Sequence, residues 1–465
     1  MTPALLLLTA ALLAVNAPAE PPAPATGDGE AACAVPETER PPDPRCGESL
    51  DGRTTRAPSM TAARAALAVP RLATRAVMWP IVKGAALVED HQLIDWMDAV
   101  LTTDDGLVGV RPIIHYSTSF LPSGGARFFY DRLPGAGSEV AGQFQTAGPD
   151  VMLAELDLRG PRRLGLTFAA TWNRRYDRLF AGSGPNSAGD LAAAGLAVAR
   201  YGSDNFGAEL RWLRTLPAWF TVYGHADLQR RDYTASHVVG GPSVSTVFAP
   251  PGGCGAAGLP AGCVDPAQMP GFAGGLRVAH AGATLGLGLR EPGRERRGAT
   301  LLVGATAAQG VAGDPSRYAT LTGEGIVAVG GVNRVLVLRA RAATIQRLGD
   351  APVPFDELIS PSGDAGMRGF PDGRFRGQSG LIGTVEYRWF LTWYLDATLF
   401  TDVGTVAGPA FADLDWNRWF PSFGLGFRLF KSPDGPYWQA MARDELQLAY
   451  APDNGARLLF TMTAF

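Results

Sequence analysis

From Gly106 to its end the chain repeats one pattern, segments of about ten residues in which apolar and polar positions alternate between turn residues. "GVRPIIHYSTSF", "LGLTFAATWNRRYD", "NFGAELRWLRTL", "WFTVYGHADLQRRDY", "GATLLVGATAAQ", "NRVLVLRARAATIQRL" and "GLIGTVEYRWFL" are examples. The alternation is cleanest in the last. Leu381, Val385, Tyr387, Trp389 and Leu391 share one face, and Ile382, Thr384, Glu386 and Arg388 share the other. It is looser in "NRVLVLRARAATIQRL", where Val335, Val337 and the residues in step with them alternate only roughly with Arg339, Arg341 and Gln346. An apolar face that ends in aromatics, opposite a charged face, suits a strand with lipid outside and a polar lumen inside. Past the N-terminus no segment reaches the roughly 18 consecutive apolar residues of a spanning helix. A closed barrel is the other spanning structure that a bilayer permits.

The connections carry the same signal. "APDNGA", "KSPDGP", "LTWY", "GGVN" and "EPGRERRG" read as short turns, whereas long insertions fall at Val238–Gly271, Gly349–Gly380 and Thr405–Phe420. With both termini on the periplasmic side, all three insertions become extracellular loops. That arrangement needs an even number of strands, and residues 107–465 are counted as sixteen. The expectation is an all-β fold, a 16-stranded antiparallel transmembrane β-barrel over residues 106–465.

The first hundred residues differ in texture. "ALLLLTAALLAV", from Ala4 to Val15, is an apolar run too short to span a bilayer, and Ala17-Pro18-Ala19 offers small residues for cleavage. Residues 1–19 therefore read as a signal peptide, although the run is preceded by no Lys or Arg. Export through the periplasm to the outer membrane follows from it. No Leu-x-x-Cys arrangement precedes Cys33, so no lipoprotein anchor is expected. Residues 20–58 read as a Pro-rich disordered linker. Residues 59–105 read as an amphipathic helical segment broken by Pro70 and Pro80, with Trp79, Ile81, Leu87, Leu93, Ile94, Trp96 and Met97 as its apolar positions. It could lie at the membrane interface, enter the lumen or simply pack.

Composition narrows the function classes. Charged residues make up 18% of the chain, below the usual ~25%, and Gly is abundant at 58 residues, as many strands and turns require. A net charge of −3 gives no electrostatic reason to expect a nucleic-acid partner. The four cysteines form two local pairs, Cys33/Cys46 and Cys254/Cys263. In an exported chain such pairs read as loop-closing disulfides. Neither has CxxC spacing or a neighbouring His, so no metal site is expected. The five His residues are scattered, no GxSxG or HExxH occurs, and "GSGPNS" at Gly182 reads as a Gly-rich loop. No catalytic residue, cofactor or enzymatic activity is expected.

"MRGF", from Met367 to Phe370, resembles the Val/Ile-Arg-Gly-Phe/Tyr signature of the BamA/TamA-type bacterial surface antigen superfamily of outer-membrane barrels. That family includes outer-membrane protein insertases and two-partner-secretion translocators. "GTVEYRW" resembles the family's next strand with its inward Glu, here Glu386, and "FTDVG" matches the pattern of the strand after it through Phe400, Asp402 and Gly404. The terminal Phe465 resembles the C-terminal recognition signal of bacterial barrels, although Thr461 and Thr463 stand where apolar residues are usual. The resemblance implies an extracellular loop folded into the barrel, with Arg368, Gly369 and Phe370 against the inner wall. Phe400, Asp402 and Gly404 occupy alternate positions and so share a face. Arg368 suits bidentate pairing with Asp402 and Glu386 beside Arg388, and Gly366 and Gly369 would let the backbone bend tightly.

The resemblance also implies partners. These are outer-membrane lipid, an unfolded polypeptide or lipid substrate handled at a seam between first and last strands, and a periplasmic accessory partner. Family members that insert or secrete proteins carry periplasmic POTRA domains. Residues 20–106 show no strand-like alternation, so the chain reads as a POTRA-less member. The alternative is a passive pore or structural barrel without insertase activity.

Overall fold

The computed structural model describes residues 100–463 apart from 134, 162–163, 217–218, 239, 253–262, 291–297, 332–333, 391–394 and 430–444. The expected signal peptide, linker and nearly all of the helical segment lie outside the described residues, as do Cys33, Cys46, Cys254 and Phe465. Of that segment residues 100–105 are described: Val100 and Leu101 are helical, and Thr102 already bridges to Gly109.

Sixteen strands follow. The first eight are β1 (Val108–Ser117), β2 (Ser123–Asp131), β3 (Glu139–Thr146), β4 (Val151–Arg159), β5 (Leu166–Phe180), β6 (Ala199–Thr215), β7 (Phe220–Ala235) and β8 (Leu276–Arg290). The second eight are β9 (Gly298–Gly310), β10 (Arg317–Gly331), β11 (Arg334–Arg347), β12 (Ser379–Phe390), β13 (Leu395–Ala407), β14 (Phe420–Leu429), β15 (Glu445–Ala451) and β16 (Gly455–Thr463). Each pairs antiparallel with its neighbours in sequence, and β1 closes the barrel on β16 with Ile113 opposite Thr463 and Ser117 opposite Leu459. Closure leaves no free sheet edge, and every strand meets the backbone hydrogen-bonding demand of the bilayer through its neighbours.

The period-2 pattern sorts side chains as a membrane barrel requires. Phe128, Phe144, Leu228, Val303, Val385, Leu399 and Phe423 are exposed on the outer face. The inner face is polar and largely covered. On β12, Glu386 and Arg388 are buried while Val385 and Tyr387, which alternate with them, are exposed. On β11 the structure corrects the sequence reading. Val335 and Val337 do not alternate with Arg339 and Arg341 but stand in step with them, while Leu336 faces out. An inner wall under a packed lumen is itself part apolar, and Ile326, Ala328, Val335 and Val337 form a buried cluster there.

Three of the connections, all at one end of the barrel, matter for the site. The β5–β6 connection holds a short helix, α1 (Ala188–Ala193), which opens on a capping box between Ser187 and Asp190. The β7–β8 connection spans residues 236–275, and the β11–β12 loop spans residues 348–378. Strands β12 and β13 each run further into the expected insertions than the turn residues suggest, to Ser379 and Ala407.

Candidate functional site

The β11–β12 loop is packed against inner-face side chains, and Arg368 is its most heavily bonded residue. The Arg368 Nε and Nη2 atoms donate to the two oxygens of Asp402 at 2.9 and 2.8 Å. Its backbone N–H donates to Asp402 Oδ2 at 3.1 Å, and Nη1 donates to Glu386 Oε2 at 2.9 Å. Asp402 lies on β13 and Glu386 on β12, and both side chains are buried. The remaining Glu386 oxygen accepts from Arg388 Nε, and Thr384 Oγ1 donates to Asp402 at 3.0 Å. The guanidinium carbon of Arg368 stands 3.4 Å from the centre of the Phe400 ring, so the cation has an aromatic floor as well as two carboxylates. Burial opposes the charge on Arg368, but the hydrogen bonds and charges of Asp402 and Glu386 outweigh it and raise the pKa further.

The flanking residues fit by shape. Met367 lies against Gly404, where a Cβ would come 2.7 Å from its sulfur. A Cβ on Gly369 would come 2.5 Å from Ser422 Cβ, and one on Gly366 would run into the carbonyl oxygen of Pro361. Neither Gly366 nor Gly369 has positive φ, so space rather than a tight bend requires glycine at these places. The left-handed turns of the loop fall instead at Gly363 (φ 101°) and Gly373 (φ 79°). Phe370 packs with Met367, Phe375, Val406, Phe420 and Ala451 in one buried cluster.

A second fastening, which the sequence analysis did not anticipate, lies on the β6–β10 stretch of wall. Asp356 accepts from Tyr201 at 2.7 Å and from Arg231 at 3.0 Å, and Arg376 of the same loop stands 3.2 Å away. Glu357 pairs with Arg231 at 2.7 Å and accepts from Tyr318 at 2.7 Å. His280 joins the cluster, with one ring nitrogen 2.8 Å from Asp227 and the other 3.1 Å from the Tyr318 hydroxyl. Burial pushes both loop carboxyls toward neutrality, but the facing cations win. Arg376, Arg178 and Arg231 hold Asp356 below its ordinary range, and Arg231 and His280 hold Glu357 down to about 2. Phe355 stands beside them with Phe180, Tyr201, Tyr233 and Phe272 around its ring. Val264, Met269 and Phe272 of the β7–β8 connection belong to this cluster. Gly184, in the Gly-rich stretch after β5, donates its N–H to the carbonyl of Arg376 at 2.7 Å.

Among the described residues no group of three or more His, Cys, Asp or Glu is placed to hold a metal ion. Cys263 lies in the β7–β8 connection next to buried Val264.

No protein-family profile matches the chain, and no curated protein does. Solved structures do. BamA from Haemophilus ducreyi lacking POTRA domains 1–3 is 14% identical over 77% of this chain and 70% of that one, with a TM-score of 0.49. CdiB from Acinetobacter baumannii is 11% identical over 76% of this chain and 58% of its own, with a TM-score of 0.41. CdiB from Escherichia coli gives 11%, 76% and 63%, with a TM-score of 0.45. The chain thus spans well under the full length of each. At such identity the likeness is one of fold, and the site stands on its own geometry. In fold, the chain is similar to BamA and CdiB barrels.

Proposed function

We propose that this barrel works in the bacterial outer membrane as an assembly or translocation barrel of the surface-antigen type. It acts on unfolded polypeptide or lipid at the seam between β1 and β16, with the β11–β12 loop fastened inside. A periplasmic accessory partner belongs to this reading, and no chemical step does. The observation that carries it is the bidentate Arg368–Asp402 pair with Glu386 and Phe400 closing around it. An arginine paired this closely with two buried strand carboxylates holds a loop in one place, and an exposed loop would need no such fastening. The seam adds support. Among the described residues its ladder runs only from Ile113 to Ser117, whereas β10 and β11 pair from Tyr318 to Gly331.

One observation favours a passive pore instead. Beneath the loop lies a cavity of about 550 Å³ whose lining mixes polar side chains, among them Gln143, Asn173, Glu386 and Arg388, with aliphatic ones such as Val151 and Leu153. Two measurements separate the readings. An assembly barrel reconstituted in liposomes should speed the folding of a urea-denatured outer-membrane barrel. In planar bilayers it should show small, intermittent conductance that grows when residues 360–378 are deleted. A steady large conductance from the intact chain, with no effect on folding of the substrate, would replace this proposal by the pore.

A further inference from the structure

We infer that Arg457 couples the position of the β11–β12 loop to the closure of the seam. Arg457 is near the start of β16 and is 2% exposed. Its Nη1 donates to the backbone carbonyls of Arg368 at 2.9 Å and Phe370 at 3.2 Å. Its Nη2 donates to Ser117 Oγ at 2.7 Å and to Asp364 Oδ1 at 2.7 Å. Ser117 is the last residue of β1, so one guanidinium holds three points of the loop and the facing strand of the seam. The carbonyl between the two loop acceptors, that of Gly369, accepts from Asn454 in the β15–β16 turn at 3.0 Å. Three successive carbonyls around the Arg368 lock are therefore held from the beginning of the closing strand.

The arrangement has a mechanical consequence. A planar guanidinium with fixed donors cannot keep Ser117 and the loop carbonyls at once if either moves. Loss of the loop removes three of the four acceptors and frees the side chain that stitches Ser117. Ser117 is fully buried while the loop is in place, so there its hydroxyl depends on that donor. The other stitches at this end are local hydrogen bonds across the β1–β16 seam, Thr118 with Leu458 and His115 with Thr461. Arg457 is thus the positioning residue through which the seam reads the loop. The use of an opened seam rests on the proposed function, but the coupling is a property of the barrel alone.

Hydrogen exchange read by mass spectrometry, on the full chain in lipid nanodiscs without substrate, tests it. Arg368→Ala touches no seam residue, yet exchange should rise by about tenfold or more in residues 113–117 as well as in residues 360–378. In a Ser117→Ala background, where Arg457 has lost its seam acceptor, Arg368→Ala should loosen the loop and add nothing at residues 113–117. Arg457→Gln should expose loop and seam together; should it fail to fold, the Ser117 pair still decides. Wild-type exchange at residues 113–117 in Arg368→Ala, or an undiminished rise in the Ser117→Ala background, would overturn the coupling. Failure to fold or move a polypeptide would overturn the proposed function and leave these exchange results standing.

Discussion

The β11–β12 loop is fastened at two places with the charges reversed. On the β12–β13 wall the loop supplies the cation, Arg368, and the strands supply Asp402 and Glu386. On the β6–β10 wall the loop supplies Asp356 and Glu357, and the strands supply Arg231, Tyr201, Tyr318 and His280. In both places the long side chain reaches and the short carboxylate waits. The difference lies in redundancy. Asp402 receives both the side chain and the backbone N–H of one residue, so the first fastening fails with that residue. The second spreads over two carboxylates and several donors, with Arg231 bonded to both acids. One fastening sets a position; the other tolerates damage.

The contrast breaks most visibly at Arg368. Removing one side of a buried pair costs ~3–5 kcal/mol, and lumen water should bring the loss toward the lower end. Arg368→Ala should therefore lower the temperature at which the compact form disappears on semi-native gels. Arg368→Lys should recover only part, because an ammonium lacks the fork. A cycle with Asp402→Asn should be strongly sub-additive, and plain additivity would mean that the two groups do not depend on each other.

Asp356→Asn should cost less, about 1–3 kcal/mol, because Glu357 keeps its bond to Arg231. The two fastenings share no hydrogen-bond partner, so Asp356→Asn and Arg368→Ala should add to within about 0.5 kcal/mol. A larger interaction energy would merge the two fastenings into one.

The first fastening could be read from the sequence and the second could not, for a physical reason. Met367–Phe370 is contiguous, and the period of two in "FTDVG" puts Phe400, Asp402 and Gly404 on one face without any knowledge of neighbours. The strand count was readable for the same cause, since each strand and turn is a local pattern. Tyr201, Arg231, His280 and Tyr318 come from four strands, and each is an ordinary inner-face position in its own segment. Only the closed barrel brings Tyr201 to Arg376, 175 positions away. Half of the signal was local, two adjacent acids directly after a Phe in "PVPFDEL". Arg457 left no mark either, because in "GARLLF" it is one polar residue at an alternating position.

Acid should loosen the second fastening. Glu357 is held at about 2, against an unfolded value of ~4.3. A depressed carboxyl contributes its full stabilisation above the unfolded value and loses it as pH falls through the folded one. Between about pH 4.5 and 2, exchange at residues 353–358 should therefore rise, and Asp356, also held below its ordinary range, adds to the loss toward the acid end. Glu357→Gln should flatten the response, and an unchanged response would place the acid-sensitive group elsewhere.

The smallest effect is expected at the cysteines, where the contrast can be sharpened without touching a charge. Cys263 adjoins Val264, which packs in the cluster around Phe355, so whatever restrains this connection supports the second fastening and not the first. A Cys254–Cys263 disulfide would close a loop of about ten residues, a short closure whose effect stays local. Non-reduced digests should yield the two cysteines in one linked species by mass spectrometry. Reduction should then raise protease cleavage in the β7–β8 connection and, slightly, exchange at residues 353–358. It should leave residues 363–378 at their wild-type rate. Two free thiols in the untreated protein would remove the disulfide from the account. Equal loosening at Arg368 on reduction would show that the two fastenings are held by a common support, and the redundancy that distinguishes them would then belong to the whole loop.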